Sequence, residues 1–112
     1  MGNSEETVQN ILFELRRGVL TIAVLSQLDH EQYGYSLLKG LSDQGLNIDQ
    51  GTLYPLLRRL ETQGLLQSDW RIVDETRPRR YYVISPQGQD ALILLKQEWA
   101  KTVEILNKMI NQ

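Results

Sequence analysis

Leu53, Leu56, Leu57 and Leu60 stand at i, i+3, i+4 and i+7. That spacing fits a helix with one apolar stripe laid against a core. The stretch around them, Asn47 to Trp70, carries its own start and stop. Asn47 is a favourable N-cap residue, and Gln50 lies three positions on, where a side chain can reach back to the cap. Gly64 sits where a left-handed residue ends a helix. The other face holds Gly51, Tyr54, Pro55, Arg58 and Thr62, with Arg59 at its margin. Pro55 falls within the first turns, so a bend is expected rather than a break. A short helix with a greasy back and a front of small, aromatic and guanidinium groups suits insertion into a DNA groove.

The flanking sequence supports this. Tyr33 to Gln44 reads as a preceding helix with Leu37, Leu38 and Leu41 inward and Gly45 as its stop. Helix, short glycine turn, helix is the arrangement of a helix-turn-helix. From Leu66 the period becomes alternating, with Leu66, Ser68, Trp70 and Ile72 on one side of a strand. Arg80 to Ile84 is β-branched and aromatic, a second strand. The link from Asp74 to Arg79 is too charged to bury and reads as a projecting wing, stiffened by Pro78 and bearing Arg77, Arg79 and Arg80. Arginines on a narrow projection suit a phosphate ridge or a narrow minor groove.

Two further helices complete the chain. Val8, Ile11, Leu12 and Leu15 form a stripe that leads, past a kink or break expected at Gly18, into an apolar run from Val19 to Leu28. That run should be the buried central helix. At the other end Ser85 and Pro86 read as N-cap and N1 of a long last helix. Leu92, Leu95, Trp99, Val103, Leu106 and Ile110 follow at steps of three and four, a coiled-coil-like seam. The helix is long enough to overhang a small core, and an apolar seam in water calls for a partner. A second copy is the simplest, with the Val8–Leu15 stripe packing across the same helix pair.

Composition narrows the class. With 112 residues the chain is expected to be one unit: a winged module over residues 1–85 and a dimerisation helix over 86–112. It has no cysteine, and its first residues do not look like a secretion signal, so a cytoplasmic, non-membrane protein is expected. The net charge is −2. Between Gly51 and Ser85, however, six arginines (Arg58, Arg59, Arg71, Arg77, Arg79, Arg80) face four acids (Glu61, Asp69, Asp74, Glu75). Positive charge is thus gathered on the second helix of the pair and the wing. The single histidine, His30, stands alone on a polar turn, and neither a metal site, a cofactor site nor an enzyme's catalytic set is expected.

Three stretches, YGYSLLKGL (Tyr33–Leu41), GTLYPLLRRLETQGLL (Gly51–Leu66) and RRYYVISPQG (Arg79–Gly88), resemble in order and spacing the signatures of the PadR-like family of bacterial transcription regulators. The resemblance implies a mainly α fold with a small β-hairpin: a winged helix-turn-helix plus a long C-terminal dimerisation helix. It also implies a dimer, usually a repressor that responds to small molecules. The candidate DNA-binding residues are Tyr33, Tyr35, Gln50, Gly51, Thr52, Tyr54, Arg58, Arg59, Arg77, Pro78, Arg79 and Arg80, facing an imperfect palindrome of double-stranded DNA. Trp99 matches the tryptophan in the last helix of multidrug-sensing members. In a two-fold dimer it can face its own copy, leaving a slot for a planar aromatic or cationic molecule walled by Val19, Ala23, Leu95 and Val103. The competing reading is an adaptor whose winged helix binds only protein.

Overall fold

The leucine stripe becomes the centre of the molecule. In the computed structural model, which describes residues 3–72 and 77–112, the order is α1 (Asn3–Gln27), β1 (Gln32–Tyr33), α2 (Gly34–Asp43), α3 (Gln50–Thr62), β2 (Leu66–Arg71), β3 (Arg79–Ile84) and α4 (Pro86–Ile110). Leu53, Leu56, Leu57 and Leu60 of α3 are all buried. They pack with Leu20, Val24 and Leu25 of α1, Leu28 just after it, Leu37 and Leu41 of α2, and Leu66, Tyr82 and Ile84 of the sheet. Burying a leucine fully is favourable by about 1.5–3 kcal/mol, so this cluster sets where α3 lies.

Both helices of the pair end in the same way. Gly45 has φ +100° and Gly64 φ +83°. The amide of Leu46 donates to the Leu41 carbonyl, and that of Leu65 to Leu60, each at 2.9 Å. These are the long bonds of a Schellman ending, which needs a left-handed residue that glycine adopts without strain. The start of α3 differs from expectation. Its cap is Asp49, whose carboxylate accepts from the Thr52 amide at 2.8 Å, and Gln50 is the first helical residue rather than the third. Asn47 lies before the helix and accepts from the Ser42 hydroxyl at 2.6 Å, bracing the turn. An ionised acceptor suits the positive end of a helix better than an amide does. The intervening Leu46 and Ile48 gain by packing on the core. Pro55 leaves α3 continuous, because the carbonyl it deprives belongs to exposed Gly51.

Three other expectations are corrected. Gly18 neither breaks nor divides α1, which runs unbroken from Asn3 to Gln27. Glycine keeps its amide, and about 1 kcal/mol of lost propensity is small against two flanking apolar runs. That second run is buried on one side only, at Leu20, Val24 and Leu25 within α1, with Val19, Ile22 and Ala23 half-buried. The hairpin is the larger part of a three-stranded antiparallel sheet in the order β1-β3-β2. The added strand takes Tyr33 away from α2 and pairs it with Tyr81. Two residues are too few to show an alternating pattern, so nothing in the sequence announces them. The strand is held by the Gln32 side-chain amide donating to the Gln27 carbonyl at 2.8 Å, and by the Tyr33 and Tyr81 rings meeting edge to face at 5.7 Å.

The start of α4 is locked to the turn after α3. Ser85 caps α4, its hydroxyl accepting from the Gly88 amide at 2.9 Å while donating to the Gly64 carbonyl at 2.6 Å. The Ser85 amide donates to Leu65, and the Ile84 amide to Leu28 at the end of α1. Gly88 lies so close to this turn that a Cβ would sit 2.1 Å from the Leu65 carbonyl oxygen and 2.8 Å from Ile84 Cγ1. Gly88→Ala should therefore force α4 off the turn and cost about 3 kcal/mol, the upper range for overpacking. Urea denaturation measures this, and an unchanged midpoint would show that the junction yields.

Candidate nucleic-acid interface

The face of α3 opposite the leucines is open along Gly51, Pro55, Arg58, Arg59 and Thr62, all exposed. Gln50 is exposed at the helix start, and Thr52 is half-buried. Tyr54 is half-buried because its ring lies on the backbone at the start of α2, where a Cβ on Gly34 would come within 2.7 Å of it. A side chain at 34 would have to displace the Tyr54 ring. Tyr33, Tyr35, Tyr54, Arg58, Arg79 and Arg80 share one concave surface with Trp70 and Tyr82, enclosing about 270 Å³. Six of the sequence-derived DNA residues thus meet on a single surface between the helix pair and the sheet.

The arginines have different surroundings. Arg79 is exposed, with its guanidinium 4.5 Å from the centre of the Tyr33 ring. Arg77 and Pro78 are exposed beyond it. The expectation of a charged wing over Asp74, Glu75 and Thr76 lies outside the described residues. Arg80 is held in place: its guanidinium donates to Glu61 at 2.7 Å and to the Ser68 hydroxyl at 2.9 Å, and Ser68 in turn donates to Glu61 at 2.6 Å. It also lies 5.7 Å from the Trp70 ring and 5.6 Å from Tyr82. Glu61 belongs to the last turn of α3, so this ion pair fixes both long strands to the helix. Arg71 is on the opposite face of the sheet, paired with Glu31 and with Asp69 at 3.1 Å. Its bonds to Asp69 and Glu31 push its guanidinium pKa up. Burial pushes the Tyr82 phenol up, against the lowering effect of nearby Arg80.

The sequence reading missed Glu61, Ser68 and Trp70 as parts of this surface. The missing information was the register: Ser68 pairs with Tyr82 and Trp70 with Arg80, which brings all of them to the side of the sheet facing α3.

A second cavity, of about 180 Å³, opens between α1 and α4 and is lined by Val19, Ile22, Ala23 and Trp99. Three of the five expected ligand residues meet there, with Ile22 in addition. Leu95 and Val103, one turn to either side of Trp99, are half-buried but do not line it. Along the seam Leu92 and Leu95 pack on the core. Trp99, Leu106 and Ile110 are exposed, with Trp99 at 47%.

A helix pair with a glycine turn, a guanidinium-bearing second helix and an arginine-bearing two-stranded projection define a winged helix-turn-helix regulator that binds DNA. The chain belongs to the PadR-like family of transcriptional regulators, whose family model matches residues 22–93. It is similar to the transcriptional regulator Rv3488 of Mycobacterium tuberculosis, with 42% identity over 80 residues, covering 70% of this chain and 74% of that protein. A crystal structure of a PadR family transcriptional regulator from Eggerthella lenta superposes with a TM-score of 0.86 at 40% identity, covering 98% of this chain and 97% of that one. A PadR-like transcription factor from Bacteroides fragilis gives 0.77 at 30% identity, covering 89% and 98%. Among the described residues no helix is long and apolar enough to cross a membrane.

Removing the carboxylate that holds Arg80 should loosen the sheet from α3. Glu61→Ala is expected to cost roughly 1–2 kcal/mol, the lower range for a hydrogen-bonded charge that is partly solvated. It should also weaken DNA binding, although it removes a negative charge. Denaturation and gel-shift measure the two effects. Stronger DNA binding by the variant would show that charge, and not positioning, is what Glu61 contributes.

Proposed function

We propose that the protein is a homodimeric repressor that binds an imperfectly palindromic operator and is released by a planar hydrophobic or cationic ligand held near Trp99. It would act in the compartment that holds the chromosome, the cytoplasm. The observation that carries the dimer is the outward apolar surface. Ile93, Leu94, Trp99, Ile105, Leu106, Met109 and Ile110 of α4, and Val8, Ile11, Phe13 and Leu15 of α1, are all exposed in the single chain. An apolar surface of this extent is not left in water, and two long helices presenting it suit a second copy of themselves. Residues 86–112 then serve as the dimerisation helix, with Leu92, Leu95, Trp99, Val103, Leu106 and Ile110 along the seam. Two copies of α3 would enter successive major grooves about one turn apart. The contacts assigned to the DNA are Tyr33, Tyr35, Gln50, Gly51, Thr52, Tyr54, Arg58, Arg59, Arg77, Pro78 and Arg79, with Arg80 acting chiefly through its hold on the wing.

Sedimentation and selection from a random duplex pool test this together. The protein should run as a dimer at micromolar concentration and select two inverted half-sites. Arg58→Ala should lose about ten- to a hundredfold in affinity for the selected site. Arg77→Ala with Arg79→Ala should weaken all duplexes evenly and flatten the salt dependence. A folded monomer, or a selected site without inverted symmetry, would contradict the reading.

The cavity beside Trp99 supports the ligand. A planar cationic dye should quench Trp99, and Trp99→Ala should lose dye binding while remaining a dimer. Bound dye should weaken operator binding by the factor by which operator weakens dye binding. If Trp99→Ala binds dye as well as the natural protein, the ligand site is elsewhere.

A further inference from the structure

Trp70 is 64% exposed at the end of β2 away from the core. Its pairing with Arg80 puts it on the side of the sheet that α3 covers further down, at Leu66, Tyr82 and Ile84. Among the described residues, none buries it beyond the last turn of α3. The described residues around it come from β1, α2, α3 and β3, and none from α1 or α4, so the seam assigned to a second copy is elsewhere. The ring is not loose, because the Arg80 guanidinium lies 5.7 Å from it and is itself tied to α3 through Glu61. A large apolar ring is thus held at a set position relative to the recognition helix, facing open solvent.

The charge of its surroundings selects the occupant. Arg58, Arg79 and Arg80 bound the same concavity. Among the described residues the carboxylate on the Trp70 side, Glu61, is paired to Arg80, while Asp69 and Glu31 are held by Arg71 on the other face, from which Arg79, opposite Arg71 in the register, reaches the rim of the concavity. An apolar ring between guanidinium groups fits a polyanion with an apolar side, and the sugar–phosphate backbone of duplex DNA is one. Deoxyribose carbons supply the apolar contact and the flanking phosphates the charge.

We propose that Trp70 is itself a DNA contact, its indole packing on a deoxyribose while Arg79 takes a neighbouring phosphate. The proposal rests on the DNA-binding reading and adds a non-ionic wing contact to it. That gives it a signature distinct from the arginines. Replacing an arginine removes a counterion-releasing contact and lowers the salt slope by about one. Replacing Trp70 removes affinity and leaves the slope unchanged.

The test uses the duplex selected by the natural protein and a scrambled duplex of equal length. Trp70→Ala should bind both about tenfold more weakly at every salt concentration, with the slope of the natural protein. Trp70→Phe should recover most of the loss, whereas Arg79→Ala should show the reduced slope. In Trp99→Phe, where Trp70 is the remaining indole, its emission should change on saturation with either duplex. If Trp70→Ala matches the natural protein, or the Trp70 emission stays constant at saturation, the contact does not exist. A weaker Trp70→Ala without that emission change would mean that Trp70 only braces the wing, and would also overturn the proposal. If the natural protein retains no duplex at all, the DNA-binding reading falls, and this contact with it.

Discussion

The direction in which α4 leaves α3 is set at one junction of hydrogen bonds around Ser85 and held by the packing of Leu92 and Leu95 on the core. The Ser85 hydroxyl caps α4 and reaches the Gly64 carbonyl, its amide reaches Leu65, and its neighbour Ile84 reaches Leu28. The ends of α1, α3 and β3 and the beginning of α4 meet within a few residues. Ser85 is buried, and a buried hydroxyl used twice leaves no polar atom unsatisfied. Gly88 allows this closeness, since any side chain there would meet the Leu65 backbone. The junction is therefore tight, and α4 starts directly from the turn that ends α3.

The same economy governs charge. A chain of net charge −2 binds a polyanion only if its charges are sorted in space. The sorting is finer than a count of arginines suggests. Arg71 is committed to Glu31 and Asp69 on the outer face of the sheet, and Arg80 to Glu61 between sheet and helix. Among the described residues, Arg58, Arg59, Arg77 and Arg79 have no carboxylate partner and are exposed. The two paired arginines brace the sheet on both of its faces. Arg80 ties β3 to α3 and neutralises the carboxylate of Glu61.

What could be read from the sequence follows from the range of each interaction. The leucine stripe, the glycine stops at Gly45 and Gly64, and the Ser85–Pro86 start of α4 are local in sequence, and each is found where the pattern puts it. Errors appear where two local solutions compete. Asn47 and Asp49 are both good caps, and tertiary packing of Leu46 and Ile48 decides for the second. Gly18 is a poor helix former taken alone, but the apolar runs on both sides carry the helix through it. The pairing of β1, and the grouping of Glu61, Ser68, Trp70 and Arg80, depend on register across the sheet, which no periodicity within one strand encodes. Trp99 and Val19, by contrast, are eighty residues apart and still line one cavity, because helices with apolar stripes of that length pack in few ways.

A rigid Ser85 junction also limits how a signal from the α1–α4 cavity can reach DNA. In the proposed dimer a ligand beside Trp99 cannot tilt α4 against its own recognition helix without breaking the bonds to Gly64 and Leu65. It must move the two chains as bodies, pivoting where one copy's α4 meets the other's. The half of the seam nearest the junction, Leu92 and Leu95, is packed on the core. The remainder, from Trp99 to Ile110, is free to repack on a partner. Trp99 stands at the boundary of the two, where a small wedge has the longest lever on the distance between recognition helices. The ligand's effect is then bounded by the difference in its affinity for the two spacings, of order 1–3 kcal/mol in typical couplings. That difference must come from the repacking half of the seam, since the junction stores none of it.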